Sequence, residues 1–285
     1  MTNPGDLKMT TPAHGLVGIG DNVVDHYLDQ GVYYPGGNAL NVAVLARRFG
    51  LHDTAYIGII GNDAEGAHVH ASLLSEGLSD AGLRIAMGET GKAKVTLKDG
   101  DRVFVGSNKG GLRKRLTLRL DEGDLDLVAR LGHVHSSCFS YLEHELPRLA
   151  ATAQKLSFDF STLRDAAYFA QVCPHVTTAF LSGSDLDEQA AKALIRQIHA
   201  LGPEQVCVTQ GERGALFSDG TRVVRQGIVP AQVVDTMGAG DAFIAGWLAA
   251  TIGGTDAFAA LPLAASAAAR ACGWPAAFGH PHPAL

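Results

Sequence analysis

A rhythm restricts this 285-residue chain more than any single motif does. Short, almost wholly apolar runs alternate with longer stretches whose apolar residues recur at helical spacing. Gly15–Gly20 (GLVGIG) reads as a buried strand ending in a turn, and 38–49 (NALNVAVLARRF) as a helix stopped by Gly50. Residues 53–60 and 64–76 repeat the pair, the second helix closed by Gly77. Beyond Arg119, strands are predicted at 133–136, 156–160, 176–181 and 205–209, and helices at 142–155, 164–172 and 186–201. Two Ala-rich helices, 239–251 and 256–272, complete the series. Strands with two apolar faces, separated by helices, imply an α/β fold: a mostly parallel, doubly wound sheet covered on both faces.

A second kind of segment interrupts this rhythm. Residues 26–34 (HYLDQGVYY) are partly alternating and aromatic; 92–98 (KAKVTLK) and 102–105 (RVFV) alternate cleanly. Asp99-Gly100 between the last two is a hairpin signal, and alternation means one wet face. These segments read as a small β-sheet standing off the main body. Another alternating stretch, 214–225, is centred on Asp219-Gly220 and reads as a second hairpin.

Composition removes several classes of function. The net charge of −6 offers no electrostatic footprint for nucleic acid. No apolar run reaches the roughly 18 residues of a membrane-spanning helix, and the first fifteen residues lack the layout of a secretory leader and read as a lead-in. Cys138, Cys173, Cys207 and Cys272 lie far apart with no C-x-x-C pair, the usage of reduced thiols in a cytoplasmic protein without structural zinc. The tail GHPHPAL, with His280 and His282, reads as frayed and exposed. Arg113-Lys114-Arg115 reads as a solvated face beside the small sheet, or else as cations near a phosphate.

Two nucleotide motifs are only approached. Gly18-Ile19-Gly20 starts a dinucleotide fingerprint, but Val23 stands where the third glycine belongs and the following segment is not helical, so a dinucleotide-dependent oxidoreductase is the weakest reading. Gly91-Lys92 imitates the end of a P-loop, but Ala93 follows where Ser or Thr would bind magnesium.

The chemistry concentrates in two other places. In 235–246 (DTMGAGDAFIAG), small residues lead directly into a helix. A helix start presents unpaired N–H groups and partial positive charge, and the nearly bare backbone at Gly238, Ala239 and Gly240 lets an anion approach. Asp241 at the pocket edge suits a general base for an attacking hydroxyl; equally, it suits an acid that favours the first turn. In 35–41 (PGGNALN), Gly36 and Gly37 open the backbone, Asn38 is a good helix N-cap, and Asn41 lies on the same face. Paired amides beside bare backbone suit a polyol. Asp21 and Asp25 follow the first strand, where open α/β sheets bind ligands.

Together these segments resemble the ribokinase-like (PfkB) family of carbohydrate kinases. PGGNALNVAVLARRFG is similar to its N-terminal signature and DTMGAGDAFIAG to its C-terminal one. The resemblance implies a single kinase domain over 1–285, with a small β-lid formed by segments near 26–36 and 92–108. It implies ATP with Mg2+, and in many members K+, as cofactors. It implies Asp241 as catalytic base, Gly238, Ala239 and Gly240 as the anion hole, and Asp21, Asp25, Gly36, Gly37, Asn38 and Asn41 on the sugar side. TQGERG resembles the nucleotide loop, carried by Thr209, Gly211 and Gly214, with the 264–272 helix beside the adenine. Asp159 in FDFS faces the phosphates through water, or else caps a turn.

This chain departs from the family where many members carry N-x-x-E. Here Ser182-Gly183-Ser184-Asp185 stands, leaving Asp185, or its rival Glu188, to reach magnesium through water. Within the family, IGDNVVDHY and DGDRVF are similar to the branch that phosphorylates fructosamine-type sugars, for which Arg102 would meet an acidic group or else be an exposed strand arginine. The implied enzyme is a kinase acting on a primary hydroxyl of a ketose or fructosamine, a homodimer through its lid, with no membrane or nucleic-acid partner. The alternative is a sugar-responsive binding protein of the same fold.

Overall fold

A computed structural model describes residues 15–98 and 101–284, apart from the side chains of 97, 98, 101 and 102. In chain order the first half comprises β1 (Gly15–Gly20), β2 (Val23–Tyr27), β3 (Val32–Gly36), α1 (Asn38–Arg48), β4 (Thr54–Gly61), α2 (Ala64–Ser75), β5 (Leu83–Ala86), β6 (Lys92–Lys98), β7 (Asp101–Ser107), α3 (Glu122–Leu131) and β8 (Gly132–Ser137). The second half comprises α4 (Leu146–Thr152), β9 (Lys155–Asp159), α5 (Ala166–Val172), β10 (Thr178–Ser182), α6 (Glu188–His199), β11 (Gln205–Thr209), β12 (Ala215–Ser218), β13 (Val223–Gln226), α7 (Ala239–Ile252), α8 (Leu261–Ala271) and β14 (His282–Pro283).

Nine strands form the larger sheet in the order β13-β12-β11-β10-β9-β8-β1-β4-β5. From β11 to β5 every pairing is parallel; β12 and β13 add an antiparallel hairpin at one edge. Successive residues of a strand face opposite sides, and the core divides accordingly. Leu16 packs with α1, α2, α7 and α8, whereas Val17 and Ile19 pack with α3, α4, α5 and α6. The doubly wound architecture read from the apolar rhythm is therefore the one observed. Helix α7, apolar nearly all round, is buried between α1 and α8.

The second sheet runs β14-β3-β2-β6-β7. The aromatic segment 26–34 is two strands joined by a turn at 28–31, and the hairpin turn expected at Asp99-Gly100 lies outside the described residues. Three elements escaped the sequence pattern: the short edge strand β5, the helix α3, and β14. The tail is not frayed. His282 and Pro283 pair with Tyr33 and Val32 of β3, the His282 ring stacks on Tyr33 at 4.9 Å, and His280 Nε2 lies 2.5 Å from Glu76 Oε1. No helix among the described residues is long and apolar enough to cross a membrane, and the four cysteines are free thiols.

Candidate active site

Strand β1 lies between β4 and β8, so the chain winds outward from it in both directions. Such a reversal opens a crevice beyond the carboxyl ends of the strands. A cavity of about 580 Å3 occupies this place, the size of a small-molecule site. Asp21, Asp25, Asn38, Asn41, Asp159 and Asp241 all face it. The oxidoreductase reading fails on the same ground: after Gly20 the chain enters β2 rather than a helix, so no N-terminus meets a pyrophosphate.

The wall begins with Asp21, whose carboxylate is used by the protein. Its Oδ2 accepts from the Asn38 N–H (2.6 Å) and its Oδ1 from the Ala39 N–H (3.1 Å), Ser137 Oγ (2.8 Å) and Ser140 Oγ (3.0 Å). An acid on the first N–H groups of a helix caps it and suits its dipole. This corrects the expectation for Asn38, whose side chain makes no cap: the N-cap position is Gly37, at φ 108, and Asp21 takes the capping role. A Cβ on Gly37 would lie 2.6 Å from Asn22 Cα, so glycine is required for α1 to start this close to β1. Gly36 is the last residue of β3, where a side chain would run into the Asp25 carboxylate.

Freed from capping, the Asn38 amide joins three elements. Its Nδ2 donates to Asp241 Oδ1 (2.8 Å) and to Asp159 Oδ2 (3.0 Å). Asn41 Nδ2 donates to Asp241 Oδ2 (2.6 Å), so both oxygens of that carboxylate are held by α1. With both Asn38 amide hydrogens committed, its Oδ1 must accept, and the donor is His135 Nε2 at 2.9 Å. Burial pushes the His135 imidazole down to about 3, so the ring is neutral. Its Nδ1 lies 2.9 Å from Ser157 Oγ, whose one hydrogen also faces the Val134 carbonyl (3.0 Å). The two carboxylates that accept from Nδ2 fix which end of the Asn38 amide faces them.

Asp159 is the other terminus of this network. It is partly buried on the cavity wall and lies near Asp241 and Asp21. Burial raises its carboxyl to about 7; the Ser161 N–H (2.8 Å) opposes the rise, while the two neighbouring acids add to it. Asp159 caps its own turn, one of the two roles expected for it, and its side of the turn lines the cavity. His135 was not singled out from the sequence. Its signal lay in polar residues, HSS, ending a strand that is apolar elsewhere.

The motif DTMGAGD separates into two acids with different tasks. Asp235 is buried and accepts from Tyr27 Oη of β2 (2.6 Å), from the Ala276 N–H (2.9 Å) and from the Met237 N–H (2.9 Å). It ties the loop before α7 to the small sheet. Gly238, at φ 76, then starts α7, and a Cβ on Gly240 would meet nothing within 4 Å. The Ala239 N–H closes a turn onto the Thr236 carbonyl (3.2 Å), and the bare backbone at Gly240 opens onto the cavity beside Asp241, a geometry that accommodates an anion.

Along the nucleotide side, Thr209 and Ser182 line the same cavity, while Gly211 (φ 59) and Gly214 (φ 79) shape the turn just beyond. Asp185 is not on the cavity wall: it is paired two-pronged with Arg164 (2.8 and 2.9 Å), which holds its carboxyl below the usual range. Glu188 is likewise occupied, by Lys192 (2.6 Å) and Arg225 (2.8 Å). Arg102 belongs to β7, and its side chain lies outside the described residues. The Arg113 run corrects the expectation of a solvated face, for Arg113 is buried.

Comparison with known proteins matches this geometry. The family described as pfkB family carbohydrate kinase matches residues 6–277. Fructosamine kinase FrlD of Bacillus subtilis is 49% identical over 269 residues, covering 94% of each chain. Fructoselysine 6-kinase of Escherichia coli is 36% identical over 233 residues, covering 82% of this chain and 87% of its own. Among solved structures, Arabidopsis thaliana ribokinase complexed with ribose and ATP superposes with a TM-score of 0.77 at 22% identity, over 90% of this chain and 92% of that one. A putative ribokinase II from E. coli in complex with ATP and Mg2+ gives the same TM-score and identity over 92% and 94%. At that identity the solved structures speak for the fold.

Proposed function

The chain belongs to the pfkB family of carbohydrate kinases, and on that footing we propose that it transfers the γ-phosphate of ATP to a primary hydroxyl of a fructosamine-type sugar. The observation that carries this reading is Asp241, held by two amides at the mouth of an open helix N-terminus inside a sugar-sized cavity. Asp241 takes the proton of the attacking hydroxyl, the hydroxyl oxygen bonds to the γ-phosphorus, and the bond to the β-γ bridging oxygen breaks, so that ADP leaves with that electron pair. The open N–H at Gly240, at the helix start that Gly238 and Ala239 shape, stabilises the charge on the transferring phosphoryl group. Asn38 and Asn41 keep Asp241 aimed, so the carboxylate needs little reorganisation when the hydroxyl arrives.

Among the described residues, no group of three or more His, Cys, Asp or Glu side chains is arranged to hold a metal. Among the described residues Asp185 is paired with Arg164, so a role toward Mg2+ through water would require that pair to open. The ion would enter on the nucleotide and offset its phosphate charge. The exposed Val103, Phe104 and Val105 lie on β7, an edge of the small sheet, which supports a homodimer formed through the lid. We place the protein in the cytoplasm, where ATP is available and free thiols stay reduced.

The test is ADP release over a panel of fructosamines, fructose, ribose and tagatose. Turnover of fructosamines above plain sugars is expected. Turnover only of a plain sugar would keep the kinase and remove the fructosamine, and binding without turnover would favour the sugar-responsive binding protein.

A further inference from the structure

One cation on the cavity wall has no counter-charge. Arg113 is carried by a short helical turn, Gly111–Lys114, that follows β7, and it is 8% exposed. A guanidinium buried to that extent is ordinarily paired with a carboxylate, because removing the charge from water costs several kcal/mol. Among the described residues no carboxylate lies within ion-pair distance of it. Among those residues its one hydrogen bond runs from Nη1 to the Phe139 carbonyl (3.1 Å), its Nε is buried without a partner, and four of its five N–H donors are unspent, arranged in the planar fork that fits a carboxylate.

The surroundings define what that fork would meet. Arg113 Nη2 and the Tyr141 ring both lie against Gly110, 3.7 and 3.9 Å from where its Cβ would be. Tyr141 holds a left-handed φ of 54, a conformation that costs on the order of 1 kcal/mol and is kept where the surroundings demand it. Phe139, Tyr141 and Phe104 are exposed yet line the cavity. The other cations there differ in kind: Lys92 is paired with Glu65 at 2.7 Å, and Lys109 is exposed. Arg113 reaches the cavity from the Phe139 side, where no carboxylate among the described residues pairs with it.

We propose that Arg113 receives the carboxylate of an amino acid joined to the sugar, and so selects fructosamines derived from amino acids over neutral sugars and amines. This rests on the fructosamine reading above. The sugar's primary hydroxyl points to Asp241, the amino-acid substituent leaves the ring at the other end of the molecule, and the aromatic side chains flank it.

The test uses two acid and amide pairs: N-fructosylglycine against N-fructosylglycinamide, and Nε-fructosyllysine against its carboxamide. A charge-assisted fork is expected to give at least one acid an advantage of about tenfold or more in kcat/KM. Arg113→Gln should collapse that ratio to below about threefold, and Arg113→Lys, which keeps the charge but not the fork, should retain part of it. Because the ratio is taken within one sample, partial misfolding lowers both rates and leaves it unmoved. If Arg113→Gln does not fold, the wild-type ratio and Arg113→Lys decide. Equal turnover of acids and amides by the wild type, or a preference unchanged in Arg113→Gln, overturns the assignment while leaving the fructosamine kinase intact. Silence on all four compounds with turnover of fructose overturns the fructosamine reading itself, and Arg113 with it.

Discussion

The two halves of the cavity wall are built on opposite terms. The floor, where β1, β8 and β9 end and α1 and α7 begin, spends its polar groups on one another: Asp21 on α1, Asn38 on two carboxylates, His135 on Asn38. The lid side leaves groups unspent, with a buried guanidinium short of partners and an edge strand that shows Val103, Phe104 and Val105 to solvent. Phe104 is 62% exposed and Ala39 of the floor is not exposed at all. Apart from the buried Asn41 Oδ1, which has no partner among the described residues, this network is spent and holds one geometry, which suits chemistry that is the same for every substrate. Unsaturated groups wait for a partner, which suits recognition.

The comparison breaks most severely at Asp241. Asp241→Asn should keep the fold and lose about 10²-fold or more in kcat, the usual loss for a missing general base. Near-wild-type turnover would mean that the floor is scaffolding only. Next comes Asn38→Leu, which strands the donors and acceptors it joins. A buried polar group left unsatisfied costs about 1–3 kcal/mol, so a lower melting temperature and a kcat reduced roughly tenfold or more are expected. A rise in KM alone, with kcat intact, would assign Asn38 to binding rather than to aiming Asp241.

A smaller effect sharpens the account through pH. The Asp159 carboxyl is raised from 3.8 to about 7 in the folded protein. Between those values the unfolded chain has lost the proton and the folded chain keeps it, so this group makes stability fall as pH rises from about 4 to about 7. His135 acts in the opposite sense: lowered from 6.5 to about 3, it makes stability fall as pH drops through that window. Asp159→Asn should therefore leave a protein whose stability rises more steeply with pH between 4 and 7 than the wild type. Melts across that range that keep the wild-type slope would show that Asp159 does not carry the proton. The smallest effect belongs to the lid. Phe104→Ser should change stability by no more than about 0.5 kcal/mol, as exposed substitutions usually do, but should shift sedimentation toward the monomer if the lid edge pairs two chains.

Much of this was legible in the chain itself. The apolar rhythm specified a parallel sheet with two covered faces because a strand between two helical layers must be apolar on both sides. Gly37 and Gly238 were legible as places where backbone is bare, and Asp241 as the acid following it. The small sheet was legible from its alternation, since one of its faces is wet. What the chain did not reveal was division of labour among like residues. Asp21 and Asp241 look equivalent in the sequence, yet one caps a helix and the other faces the open N-terminus of α7. Asn38 looked like a cap until Asp21 displaced it. His135, Asn38, Asp159 and Asp241 come from four different elements, and hydrogen bonds between them exist only once the sheet order is set. Arg113 sits in a run of cations that is solvated in most proteins; only packing against Gly110, Phe139 and Tyr141 removes it from water. Local pattern determined which elements form and where bare backbone lies. Burial and polar pairing, which depend on distances between segments far apart in the chain, were decided by tertiary structure alone.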